Sequence, residues 1–214
     1  MQPGMKAEMK AEEVFGEYER HAGAVEAEFR RVAARFAPRM QCRRGCSMCC
    51  SQMFSISLLE AAYISRAVKR LPEGEREELR AAARAYIVRA RELTGGGEEE
   101  ETVTPRPGER LPCPALQGDA CAIYAARPLI CRKWGIPVFN PKKPLELQAC
   151  ELNFRPGEEV EVEGLVEPQV ELLEEWVELK RRAGLAGAGR RLTATVAEAI
   201  LQDYEEELKR ELWS

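Results

Sequence analysis

Residues 42–50 read Cys-Arg-Arg-Gly-Cys-Ser-Met-Cys-Cys, four cysteines within nine residues, at Cys42, Cys46, Cys49 and Cys50. Gaps of two or three residues let one turn of backbone present two thiolates to a single ion, each sulfur ~2.3 Å from it. Gly45 permits that turn, and Pro38 frees the segment from whatever helix precedes it. Cys49 and Cys50 are adjacent, so their side chains diverge. That suits two neighbouring centres, or two irons of one cluster, better than one shared ion. The other four cysteines, Cys113, Cys121, Cys131 and Cys150, are spread through a proline-rich section. Free cysteine often serves as a small buried hydrophobe. That role does not account for four thiols in a segment, 39–52, otherwise short of apolar side chains. The pattern predicts metal ligation, with redox-active dithiols as the competing chemistry.

The remaining composition narrows the field. Among 214 residues there is one histidine, His21, so no site can use two imidazoles. Zinc sites of the HExxH and Cys₂His₂ kinds are therefore excluded. A formal charge of -4 argues against general nucleic-acid binding, which favours basic domains. No apolar run approaches the ~18 residues of a spanning helix. Lys6, Glu8, Lys10, Glu12 and Glu13 stand where a secretion signal would need unbroken apolar sequence. The expectation is a cytoplasmic protein without membrane contact, whose clustered cysteines stay reduced.

Outward from the cysteines, the period is helical. Val14, Tyr18, Val25, Phe29, Val32 and Phe36 form one stripe on a helix that must end near Ala37. Ser57 to Glu60 is a capping box opening a second helix, with Tyr63, Ala67 and Leu71 inward and a stop at Pro72. A third helix runs from about Glu75 to Leu93. Between 111 and 164 the helical period is lost among prolines, and Val160 and Val162 alternate as a candidate strand. Helix returns from Pro168 to Gly184. Thr195 to Glu198 caps a last helix carrying Val196, Ile200, Tyr204, Leu208 and Leu212 on one side. The predicted class is mainly α, with helices packed around an irregular cysteine-rich metal-binding centre and at most short strands. One cysteine-cluster domain spans 1–214: a helical region 1–40, a Cys-rich core 41–164 containing a flexible linker 94–110, and a C-terminal helical pair 165–214.

The charges support thiolate chemistry. Arg39, Arg43 and Arg44 accompany the first cysteines with no acid between 39 and 50. Arg127, Arg132, Lys133, Lys142 and Lys143 do the same between 127 and 143. Cations hold thiolates deprotonated and offset the net negative charge of a four-thiolate site. Binding of an anionic substrate is the alternative use of the same groups.

Three elements, Cys42-Arg-Arg-Gly-Cys46-Ser-Met-Cys49-Cys50, Cys113-Pro-Ala-Leu leading to Cys121-Ala-Ile-Tyr124, and Arg127-Pro128-Leu-Ile-Cys131-Arg132, together resemble the bacterial CxxCxxCC zinc- or iron-chelating family, also called YkgJ-like cysteine-cluster proteins. Cys150 fits as that pattern's eighth cysteine. The first spacing is three residues here rather than two, a departure that bears on Cys42. A related arrangement occurs in flagellin lysine methylases, which are much longer, and that similarity is confined to the motif. The resemblance implies metal or iron–sulfur binding by the eight cysteines. It also places Tyr124, Arg127 and Arg132 in the motif: the arginines as N–H donors to ligating sulfurs, the tyrosine as core packing beside them.

Both zinc and iron–sulfur centres accept four cysteines. The irregular spacing, unlike a zinc ribbon, favours a [4Fe-4S] cluster in a redox or electron-transfer protein, an oxidoreductase if it is an enzyme, with a redox or protein partner. A non-enzymatic Zn²⁺ module for protein interaction is the alternative, and a thiol redox sensor using Cys49 and Cys50 the second.

Overall fold

The computed structural model describes residues 10–43, 45–94, 109–140, 147–155, 158–186 and 193–212. The chain is mainly α. Helix α1, Ala11–Arg35, buries Val14, Phe15, Tyr18, Ala22, Val25 and Val32 along one face. Glu12 and Glu13 in its first turn complement the helix dipole. It closes into a 3₁₀ turn, Ala37–Arg39, with Pro38 inside it, as the sequence pattern requires. Phe29 and Phe36 at the end of the stripe pack with a separate apolar cluster of Val32, Ile136, Val138 and Leu165.

A two-residue strand, β1 (Ile56–Ser57), leads into α2, Leu58–Lys69. Both halves of the Ser57/Glu60 capping box are present, which satisfies amide groups that a helix start otherwise leaves unpaired. The fully buried face of α2 is Leu59, Ala61, Ala62 and Ile64, whereas Tyr63, Ala67 and Leu71 are only half-buried. All three of the expected inward residues nonetheless pack against the main core. The helix is packed by α6 (Val196–Leu201) and α7 (Tyr204–Leu212), so its buried arc is wider than one stripe. Helix α3, Glu73–Thr94, buries Leu79, Ala83 and Ala90. The expected linker lies almost wholly outside the described residues.

The irregular middle contains a hairpin of β2 (Leu116–Gln117) and β3 (Ala120–Cys121), a 3₁₀ turn at Tyr124–Ala126, and the five-residue helix α4, Leu129–Lys133. Strand β4 (Val138–Phe139) pairs with β5 (Leu147–Gln148), and β1 pairs with β6 (Thr193–Ala194). No strand forms at 158–162. Just after it the carbonyls of Glu163 and Gly164 accept hydrogen bonds from Arg35 and Arg31 of α1.

Helix α5, Val166–Arg182, packs on α1 and ends at Ala183 ahead of Gly184, whose φ of +74° is the left-handed conformation common after helices. The single C-terminal helix expected from Thr195 onward is two. The Ser65 hydroxyl of α2 lies 2.9 Å from the carbonyls of both Ala199 and Gln202, and accepts from the Tyr204 amide at 3.3 Å. A side chain distant in sequence thus serves the groups at the break between α6 and α7. No described helix is long and apolar enough to cross a membrane.

Candidate metal centre

The cysteine loop is built locally before it meets anything else. Gly45, at φ +89°, turns the chain, and the Cys46 amide donates to Arg43 O at 3.0 Å. A 3₁₀ turn over Met48–Ser51 follows, with the Cys50 amide donating to Ser47 O at 2.9 Å. Two backbone bonds then dock the second cysteine segment on the first: Cys113 N donates to Cys50 O at 2.7 Å and Leu111 N to Ser51 O at 2.9 Å. The β2–β3 hairpin returns Cys121 opposite Leu116. Cys131 rides on α4, whose start is anchored by the Leu129 amide donating to the buried Glu60 carboxylate at 2.9 Å. Glu60 therefore serves two helix starts, its own capping box and α4.

These pieces enclose a cavity of about 700 Å³. Cys42, Cys46, Cys49, Cys50, Cys113, Cys121 and Cys131 all line it, together with apolar Phe29, Phe54, Leu116 and Trp134. All eight cysteines are free thiols, and Cys150, 7% exposed, is the one not on this wall. Among the described residues no three cysteine, histidine or acidic side chains already converge tightly enough to hold one ion. The donor set is nonetheless that of a soft-metal site, because thiolates select zinc, copper(I) or iron–sulfur clusters over hard cations.

Burial dominates the thiol chemistry. It pushes Cys113 up to about 11 and raises Cys121 and Cys131. Cys42 is also raised by burial, against the opposing effect of an N–H bond from Asn153. Cys49 and Cys50 share a hydrogen bond that drives Cys49 well up and Cys50 down, so the proton of the pair stays on Cys49. Besides Cys49, the thiols acting on Cys50 are Cys113, Cys131 and Cys121, and Cys49 in turn acts on all three of these. Those acting on Cys42 are Cys150, Cys46 and Cys49.

The cationic side of the cavity differs from expectation. Arg132, 8% exposed, donates to Glu26 of α1 and to the carbonyls of Arg127 and Ala125, at 2.9 and 2.6 Å for the carbonyls. Arg127 approaches the same Glu26 carboxylate at 2.9 Å, donates to Tyr124 O at 2.9 Å, and lies 3.8 Å over the Tyr124 ring. Arg30 reaches Glu26 at 3.9 Å. Neither Arg127 nor Arg132 bonds to a sulfur here. Carbonyls and one carboxylate occupy their donors, so they shape the wall and charge it instead. Tyr124 is 63% exposed under its arginine, at the cavity's edge and not in the core. Arg39 pairs with Glu158, Lys133 opens onto a separate small cavity beside His21, and Arg44, Lys142 and Lys143 lie outside the described residues.

Two residues at this site escape sequence reasoning. Glu26 is one acid among many on a long helix, marked only by Arg30 four residues on. Asn153 follows Cys150 by three residues and meets Cys42 across the fold.

Residues 41–143 match the family model described as "CxxCxxCC: Putative zinc- or iron-chelating domain". That span holds seven of the eight cysteines and stops before Cys150. Comparison with curated proteins and with solved structures gives no match.

Proposed function

From the match of residues 41–143 to the CxxCxxCC zinc- or iron-chelating family model, we propose that the cavity cysteines hold an iron–sulfur cluster, of the [4Fe-4S] kind, through which the protein transfers electrons. The observation that carries this reading is seven thiols around one cavity of about 700 Å³. A single tetrahedral ion uses four donors at ~2.3 Å and leaves such a space unfilled, whereas a polynuclear centre takes donors from a wider wall. The ligands are drawn from Cys113, Cys121 and Cys131 together with the adjacent Cys49 and Cys50.

Bound there, the cluster supplies a reversible one-electron couple whose potential its surroundings set. The chain's own residues do the rest. Glu26, Arg30, Arg127 and Arg132 leave a surplus of positive charge on the wall, offsetting the net charge of about -2 left by four thiolates on a dipositive core. Phe29, Phe54 and Trp134 limit water at the centre. Exposed Tyr124, with Arg127 stacked on it, forms the edge that a redox partner would meet.

Anaerobic purification with an absorbance scan and with iron and sulfide analysis tests the reading. Brown protein with a broad band near ~400 nm, arising from thiolate-bound iron, is expected. Colourless protein with stoichiometric zinc contradicts it and returns the domain to a structural role. Metal-free protein with titratable Cys49 and Cys50 favours thiol sensing.

A further inference from the structure

We infer that the small cavity between α1, α4 and α5 is a binding site for a short-chain monocarboxylic acid, with the Lys133 ammonium as its counter-charge and the stacked His21 and Trp176 rings as one wall. The inference goes beyond the metal reading and does not depend on it.

Three observations carry it. First, this cavity is distinct from the one the cysteines line. It measures about 100 Å³, shares no lining residue with the larger cavity and contains no cysteine. Leu129, Ile136, Leu172 and Trp176 make much of its lining apolar. At ~30 Å³ per water, the space has room for about three waters or one small organic acid.

Second, Lys133 brings a charge to this cavity that nothing described answers. It is half-buried at the end of α4, and among the described residues it forms no ion pair and its ammonium has no hydrogen-bond acceptor. Glu28, the acid on the same wall, gives both carboxylate oxygens to Arg31 at 2.7 Å. Burial holds the His21 imidazole below its ordinary value, so the ring is neutral at pH 7 and Lys133 is the one cation of the lining. A partly desolvated charge without a partner costs stability, and one carboxylate supplies the partner. A phosphate would need more donors than this wall offers.

Third, the wall is held in place without a ligand. Gln169 of α5 accepts from Phe139 N at 2.8 Å and donates to Pro137 O at 2.9 Å, which fixes residues 137–139 against α5. Buried His21 of α1 stacks on Trp176 of α5, with centroids 5.5 Å and planes 9° apart, and its Nδ1 lies 3.5 Å from Glu175. Those polar groups are engaged with one another or with backbone. Lys133 alone remains to orient an anion, whose alkyl chain meets the apolar lining. A preformed, mostly apolar space with few polar groups is the usual make-up of a small-ligand site.

The test adds sodium butyrate to the full chain purified anaerobically and reads the ring of His21, the only imidazole in the sequence. In ¹H–¹³C spectra at about pH 7.5, above the ordinary histidine value, the His21 signal should shift saturably with butyrate. Sodium chloride at equal ionic strength, and butyramide as the uncharged isostere, should leave it in place. Lys133→Met should lose the saturable shift and, without ligand, melt at a higher temperature than wild type, because an unpaired charge is gone. Butyrate should raise the melting temperature of wild type and not that of Lys133→Met. An unmoved His21 signal overturns the inference, as does an equal shift with butyramide or a butyrate shift that persists in Lys133→Met. A lower melting temperature in ligand-free Lys133→Met makes the lysine structural and overturns its role as counter-charge. Should that variant fail to fold, the comparison of butyrate with butyramide on wild type decides alone. Iron and sulfide content test the proposed function separately, so either reading can fail without the other.

Discussion

Glu26 stands between Arg30, Arg127 and Arg132, and its one negative charge holds two buried or half-buried guanidinium groups against the cavity wall. Glu26→Gln should destabilise the metal-free protein by about 3 kcal/mol in urea unfolding, because it strands Arg132 without a counter-charge. In the metal-loaded protein the same change should raise the reduction potential, since the wall gains a net positive charge. A second consequence follows from the buried thiols. Cys113, Cys121 and Cys131 keep their protons in the folded chain to higher pH than in the unfolded one. Their contribution to stability is therefore full below the ordinary thiol value of ~8.5 and lost as pH rises through the folded values, about 11 for Cys113. The melting temperature of metal-free protein should fall between pH 8.5 and 11, whereas metal uptake, which needs thiolates, should tighten on moving from pH 6 to 8. A melting temperature that climbs above pH 9 contradicts this. At this scale the cysteines were legible because residue type and spacing declare them. Glu26 and Asn153 were not, because nothing local distinguishes an acid on a charged helix, or an asparagine whose partner is 111 residues away.

Two capping boxes of the same design start α2 and α6, Ser57/Glu60 and Thr195/Glu198, and β1 pairs with β6 immediately before both. Their consequences differ. Glu60 also accepts the Leu129 amide, so it fixes the start of the helix that carries Cys131. Glu60→Ala should cost about 2–3 kcal/mol, by leaving buried donors unpaired, and should also lower metal content. Glu198→Ala should cost about 1–2 kcal/mol as a lost cap, with metal content unchanged. Thermal melts and metal analysis on the two variants separate the roles, and equal metal in both would remove Glu60 from the site's support. Both boxes were readable from four residues apiece. The break between α6 and α7 was not, because the apolar pattern runs on through Tyr204 and Leu208 while Ser65 of α2 serves the backbone groups at the break. Nor were the strands, each two residues long and too short to show a period of two.

Across the molecule, α1 links two apolar clusters, its first half in the larger one and Val32 in the smaller. Phe29 and Glu26, between them, reach the cavity. Residues 42–50 dock there on 113–131 through backbone bonds, and Asn153 ties Gln41 and Cys42 to Gly135. Metal binding should therefore contribute to stability as well as chemistry, and chelation should lower the melting temperature in proportion to ln[1 + (metal)/Kd]. The mainly α class could be read from helical periods alone, whereas the meeting of residues 42–50, 113–131 and 150–154 depends on contacts that no local pattern encodes. Native mass spectrometry of the anaerobically purified chain, beside Cys113→Ser, tests the central claim most directly. A mass excess equal to iron plus sulfide, lost or truncated in the variant, is predicted. A wild-type chain at its bare polypeptide mass, or one whose excess is untouched by Cys113→Ser, contradicts it.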